Sequence, residues 1–147
     1  MILYFLQSIR RQQCWIALGI VLAGVSGCGK SDPFDRASLT GTVTFDGELV
    51  PYGEILFTPD TAKGNSGPSV VAPIRSDGTY QTQSTRGAIA GPAVAKIVAY
   101  ESHPDTVSGG GSPKVIVDNY PVEVEIPQSS GTIDFHLTKD QIRSKKR

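Results

Sequence analysis

Beyond position 28 the chain contains no cysteine; both of its cysteines, Cys14 and Cys28, fall in the first 28 of 147 residues. A disulfide framework for the body of the protein is therefore excluded, and so is a thiolate that binds metal or attacks a substrate there. Histidine is almost as scarce. His103 and His136 are the only two, 33 positions apart, and neither has a partner at metal-ligand spacing. An excess of positive charge is also missing, with 14 basic and 14 acidic residues. Taking away the two arginines of the first 27 residues leaves 12 basic against 14 acidic, a slightly acidic body. Nucleic acid, which needs a basic face to neutralise its phosphates, is not an expected partner. Helical periodicity is absent from nearly the whole chain. What is abundant is glycine (16) and proline (10), a composition suited to short strands joined by many turns.

The first 30 residues carry the most specific signal. Cys14 to Gly27 is an uncharged apolar run preceded by Arg10 and Arg11. A basic stretch, a short apolar run and then small residues make a secretory signal. The run is short for a membrane-spanning helix, which needs about 20 residues. It ends in Val25-Ser26-Gly27-Cys28, which resembles the lipobox of bacterial lipoproteins: an aliphatic residue, a small residue, Gly or Ala, then Cys. The resemblance implies that Cys28 is the lipid attachment site and that cleavage falls between Gly27 and Cys28, leaving Cys28 as an acylated N-terminus. Two or three acyl chains (palmitate is typical) would hold it stably, where one would hold it marginally. An uncleaved signal anchor and an ordinary secreted protein are the alternatives. Gly29 is not the Asp that marks inner-membrane retention, which favours an outer membrane.

A second motif overlaps the first. Gly24 to Ser31 matches G-x-x-x-x-G-K-[ST], the phosphate-cradling P-loop, with Lys30 and Ser31 in the phosphate and Mg²⁺ positions. Such a loop must open a helix within alternating strands and helices. Here Asp32-Pro33 follows at once and a strand begins by Leu39, so the nucleotide-binding reading is rejected.

Residues 28–38 read as the lipidated cysteine and a polar flexible tether. From Leu39 the sequence alternates: Leu39, Gly41, Val43 and Phe45 on one face, Thr40, Thr42 and Thr44 on the other. Period two with β-branched residues marks a half-buried strand. Asp46-Gly47 and Asp77-Gly78 supply turns. Further strands are expected near Glu54–Thr58, Val70–Arg75, Thr79–Ser84 with Tyr80 inward, Pro92–Tyr100, Val122–Ile126 and Ile133–Leu137. Lys114–Val117 reads as a short edge strand, and 101–113, with Gly109-Gly110-Gly111, as a long loop. Residues 139–147 read as a polar basic tail.

Two segments within this β region resemble the carboxypeptidase regulatory-like, or transthyretin-like, domains. Gly41-Thr42-Val43, the turn Asp46-Gly47, Pro51-Tyr52 and the outgoing strand to Pro59 match the family's opening hairpin. Ser76 to Tyr80 matches its turn followed by an aromatic strand. Gly91-Pro92-Ala93-Val94 lacks the aromatic usual at that later position. The resemblance implies that residues 39–138 form an all-β, seven-stranded Greek-key β-sandwich of the transthyretin (prealbumin) type. It carries over no catalytic residue, because the family shares none.

Each remaining chemical group has a plain role. His136 sits on the polar face of a strand and His103 in the long loop. Asp46, Asp60, Asp77 and Asp118 lie in loops, where sandwiches can bind calcium, but no dense Asp-x-Asp run is present and turn formation explains them. No nucleophile elbow appears, so no catalytic residue, cofactor or metal is expected. Tyr52, Tyr80, Tyr100 and Tyr120 could stack on sugar rings; at strand ends they more often cover the core edge. The expectation is a non-enzymatic, lipid-anchored interaction or structural module of the cell envelope, held to the membrane through Cys28, with a protein or polysaccharide partner. A carbohydrate-binding lipoprotein is the alternative, which a solvent-facing row of tyrosines would favour.

Overall fold

The structure is a computed structural model that describes residues 34–82, 86–106 and 112–145. Gly27, Cys28, the P-loop-like residues, Gly109 to Gly111 and the last two residues lie outside them. Among the described residues the fold is all-β, with one short helix. Its strands are β1 (Arg36–Ala37), β2 (Leu39–Phe45), β3 (Glu48–Leu49), β4 (Tyr52–Pro59), β5 (Val70–Ile74), β6 (Thr79–Gln81), β7 (Ala88–Ile89), β8 (Gly91–Tyr100), β9 (Val115–Ile126), β10 (Gly131–Thr132) and β11 (Phe135–Leu137). The helix α1 spans Lys139–Lys145.

One sheet runs in the order β10-β2-β6-β5-β4-β8-β9, with β3 and β11 also on β2. β1 and β7 form a separate small pair. The large sheet curls into a half-barrel, and chain connectivity shows how far. β9 lies at one edge and β10 at the other, yet only residues 127–130 join them. Such a link spans at most about 17 Å, so at that end the two edges approach each other. The inward side chains of the curl make one core. Leu39, Val43, Ile55, Phe57, Tyr80, Ile97, Val117 and Phe135 are all at most 3% exposed. Phe57, Tyr80 and Phe135 meet there with ring centroids 5.8 to 6.3 Å apart, the tilted packing that aromatic quadrupoles favour.

The alternation in Leu39–Phe45 emerges as read: Leu39 and Val43 are buried, while Thr40, Thr42 and Thr44 face the other way. Both expected turns form. Asp46 and Gly47 take φ of 51° and 90°, and Gly78 takes 74°. Tyr80 points inward.

Four expectations are corrected. Residues up to Ser38 are not all tether: Arg36 and Ala37 pair with Ile89 and Ala88, and Ala37 is fully buried. Two residues carry too little pattern to be read as a strand. The short edge strand at Lys114–Val117 and the strand Val122–Ile126 are one continuous β9. Asn119, at φ 48°, absorbs the extra residue of a bulge opposite β8, and Asn tolerates that left-handed backbone. Pro121 is accommodated because β9 is an edge strand. The fourth strand ends at Gln81, before Thr82; the rest of the expected strand, Gln83 and Ser84, lies outside the described residues. Finally, the polar tail begins as helix α1. Thr138 and Gln141 form a reciprocal capping box, with Thr138 N–H donating to Gln141 Oε1 (3.1 Å) and Gln141 N–H to Thr138 Oγ1 (3.4 Å). Ile142 packs on the core, the one apolar residue of the helix.

Candidate functional site at the far end of the sheet

The described chain enters at Phe34, beside Ile89, Gly91 and Ile126. That is the start of β8 and the end of β9. The opposite end of the sheet holds the start of β4 and the end of β8. Ten residues of β8 separate the two ends by roughly 30 Å.

At this far end, Tyr52 and Tyr100 are directly paired across β4 and β8. Both rings leave the outer face of the sheet, half-buried, with centroids 5.6 Å apart at 39°. His103, in the loop after β8, packs edge-on to Tyr52 at 4.6 Å and 65°. A 3₁₀ turn at Pro104–Thr106 holds that imidazole. Thr106 donates its N–H (3.0 Å) and Oγ1 hydroxyl (2.6 Å) to the His103 carbonyl. His103 Nδ1 lies 3.2 Å from the Asp105 N–H and 3.3 Å from the Asp105 carboxylate. Lys114 Nζ donates to Glu101 (3.2 Å), and the Glu101 N–H to the Lys114 carbonyl (3.0 Å), which closes the base of the loop. Two phenol rings, an imidazole and a carboxylate–ammonium pair thus line one end. They offer flat apolar faces beside hydrogen-bonding groups.

The other tyrosines are elsewhere. Tyr80 is buried, its hydroxyl donating to the Ile133 carbonyl at 2.7 Å, and burial pushes its phenol well above the usual range. Tyr120 faces Ile97 on the inner side and packs against the core. The sequence placed His103 in a loop, and it is in one, but its contact with Tyr52 depends on the β4–β8 register. Tyr100 followed by His103-Pro104 was the only local hint.

The remaining candidates hold the fold together. His136 is exposed, and its Nδ1 meets Thr44 Oγ1 at 2.9 Å. It belongs to a ladder between β2 and β11 in which Thr42 donates both its N–H (2.7 Å) and its hydroxyl (2.8 Å) to Asp134. Those bonds hold the Asp134 carboxyl below the usual range. Asp46 is lowered by the Lys139 side chain and N–H, which tie helix α1 to the β2–β3 turn (Nζ to Oδ2 2.7 Å). Asp77 is lowered by bonds from Thr79 within its own turn. Asp60 caps the 3₁₀ turn at Thr61–Lys63 by accepting from the Ala62 N–H. Glu123 beside Lys63 holds that ammonium above its usual range. Asp118 is exposed on β9. Among the described residues no three His, Asp or Glu side chains gather as a metal-ion ligand set. Among them, too, no helix is long and apolar enough to cross a membrane. After Ser31 the P-loop match has strand β1 only five positions on, and the sheet that follows has antiparallel neighbours except at β10 and β11.

Compared with known proteins, the chain matches no family model and no curated protein.

Proposed function

We propose that the chain is a lipoprotein of the cell envelope, anchored through acyl chains on Cys28, whose β domain is a non-enzymatic interaction or structural module. The observation that carries this reading is Val25-Ser26-Gly27-Cys28 behind an uncharged apolar run and Arg10-Arg11. The domain suits such a role. Its perturbed carboxylates, Asp46, Asp77 and Asp134, sit at separate turns and ladders and are each explained by bonds that hold the backbone. In a catalytic centre such groups converge in one cleft. We further assign the domain to the carboxypeptidase regulatory-like (transthyretin-like) kind, a seven-stranded Greek-key sandwich. Seven strands of three residues or more among the described residues, the two Asp-Gly turns and the inward Tyr80 support that assignment. Fractionation of cells expressing wild type and Cys28→Ala tests the anchor. The wild type is expected in the membrane fraction and to take up labelled palmitate, and the variant to do neither. Labelling that persists in Cys28→Ala contradicts the reading.

The Tyr52–Tyr100 pair with His103 favours the second reading, an envelope lipoprotein that binds carbohydrate. A pyranose presents a C–H face that stacks on phenol rings, and hydroxyls that suit Glu101, Lys114 and His103. Affinity electrophoresis of the full-length protein in gels cast with neutral polysaccharides tests this. At least one polysaccharide is expected to retard the wild type, and Tyr52→Ala/Tyr100→Ala to migrate at its unretarded rate. Equal retardation of the two proteins places any binding elsewhere.

A further inference from the structure

The outer face of the main sheet is more apolar than a solvent-facing sheet needs to be. Where an antiparallel sheet has one face in water, its strands alternate apolar-in and polar-out, whereas near-continuous apolar runs mark strands covered on both faces. β8 reads Gly-Pro-Ala-Val-Ala-Lys-Ile-Val-Ala-Tyr. Its inward residues Ala93, Ala95, Ile97 and Ala99 are in the core, yet the outward set includes Val94 and Val98. On the neighbouring strands Leu56, Val71 and Pro73 point outward as well, and Val71 is 47% exposed. Among the described residues no second layer covers this face.

On β4 and β8 two charges interrupt it, and they have opposite sign; Glu123 (held by Lys63) and Glu125 follow at its β9 margin. Register pairs Leu56 with Lys96 and Glu54 with Val98, so Glu54 and Lys96 are diagonal neighbours near the centre of the face. Both are exposed, and neither forms an ion pair among the described residues. A two-fold axis lying in the plane of the face, across the midpoint of the line joining them, sets Glu54 of one copy over Lys96 of the other, and the reverse. Apolar residues then meet apolar residues, and each unpartnered charge meets its opposite. Self-complementarity of this kind is what an isologous interface requires.

We propose that this face, centred on β4 and β8 with Glu54 and Lys96 as its charge pair, is a homodimer interface whose occupant is a second copy of this chain. Strand spacing and rise give a patch of roughly 19 by 26 Å, about 500 Å² per copy. Two copies would bury about 1,000 Å², at the lower bound for a specific interface, so the dimer is a weak, concentration-dependent one. The inference does not rest on the lipid anchor or on saccharide binding, and Tyr52 and Tyr100 border the same face, so a saccharide there would compete with the second copy.

Sedimentation equilibrium of the full-length protein in density-matched detergent, over a range of protein concentrations at a fixed excess of micelles, tests it. The wild type is expected to follow a monomer–dimer equilibrium. Lys96→Glu and Glu54→Lys are each expected to weaken it at least tenfold by setting like charges against each other. The double swap is expected to restore association, since it rebuilds the pair with signs exchanged. Both positions are exposed, and unchanged far-ultraviolet circular dichroism identifies variants that keep the fold. A wild type that stays monomeric throughout overturns the proposal. So do single reversals that leave association unchanged, or a double swap that fails to restore it.

Discussion

Tyr80→Ala is expected to cost about 3–5 kcal/mol of folding stability, the range for truncating a large aromatic in a packed core. Tyr80 is 1% exposed, in ring contact with Phe57 and Phe135. Truncation removes two aromatic contacts and opens a cavity among strands β4, β6 and β11. It also deletes the hydroxyl that reaches the Ile133 carbonyl across the curl. Natural domains have only about 5–15 kcal/mol in total, so this single change consumes a large share. Tyr80→Phe separates the two effects. It keeps the packing and loses only the hydrogen bond, for an expected cost of about 1–2 kcal/mol. Urea denaturation of the purified chain, followed by circular dichroism, measures both. Equal midpoints for Tyr80→Phe and Tyr80→Ala would show that packing contributes nothing there.

Gly53→Ala is expected to be as damaging, and against the direction that strand propensity predicts. Glycine weakens a strand, so alanine at an ordinary strand position is neutral or helpful. Gly53 is not ordinary. It is buried in β4 between Ile74 of β5 and Ala99 of β8. A Cβ built there runs into the Val98 carbonyl and comes within 3.1 Å of both the Ala99 Cα and the Ile74 Cδ1. The first two obstacles are backbone of a paired strand and cannot swing aside. Relief requires β4 and β8 to part, so a loss above about 4 kcal/mol, among the largest seen for point changes, is expected. Gly47 supplies the contrast. A Cβ there meets nothing, so Gly47→Ala bears only the strain of φ 90°, about 1–2 kcal/mol. The same denaturation experiment ranks the two. A Gly53→Ala midpoint above that of Gly47→Ala would mean that the β4–β8 approach is looser than described.

Local rules made much of this fold legible. Alternation located β2 and its buried face, Asp-Gly pairs located the turns, and the same period turned Tyr80 inward. What escaped depended on register or on brevity. Arg36–Ala37 is too short to show a period. Helix α1 has a single apolar residue, Ile142, although Thr138-x-x-Gln141 was a capping signal in plain view. The Tyr52–Tyr100–His103 cluster needs the pairing of β4 with β8, which no local pattern encodes. The apolar run of β8 was visible as composition; that half of it faces outward became visible only with the sheet. Cys28 stands apart, since its role is read from four consecutive residues and rests on chemistry outside the folded domain.

The most direct test of the central proposal is the intact mass of the protein purified from the membranes of a Gram-negative host. The lipoprotein reading predicts a chain lacking residues 1–27, with the mass of two or three acyl groups and glycerol added at Cys28. A chain that keeps residues 1–27 and carries no lipid would contradict it.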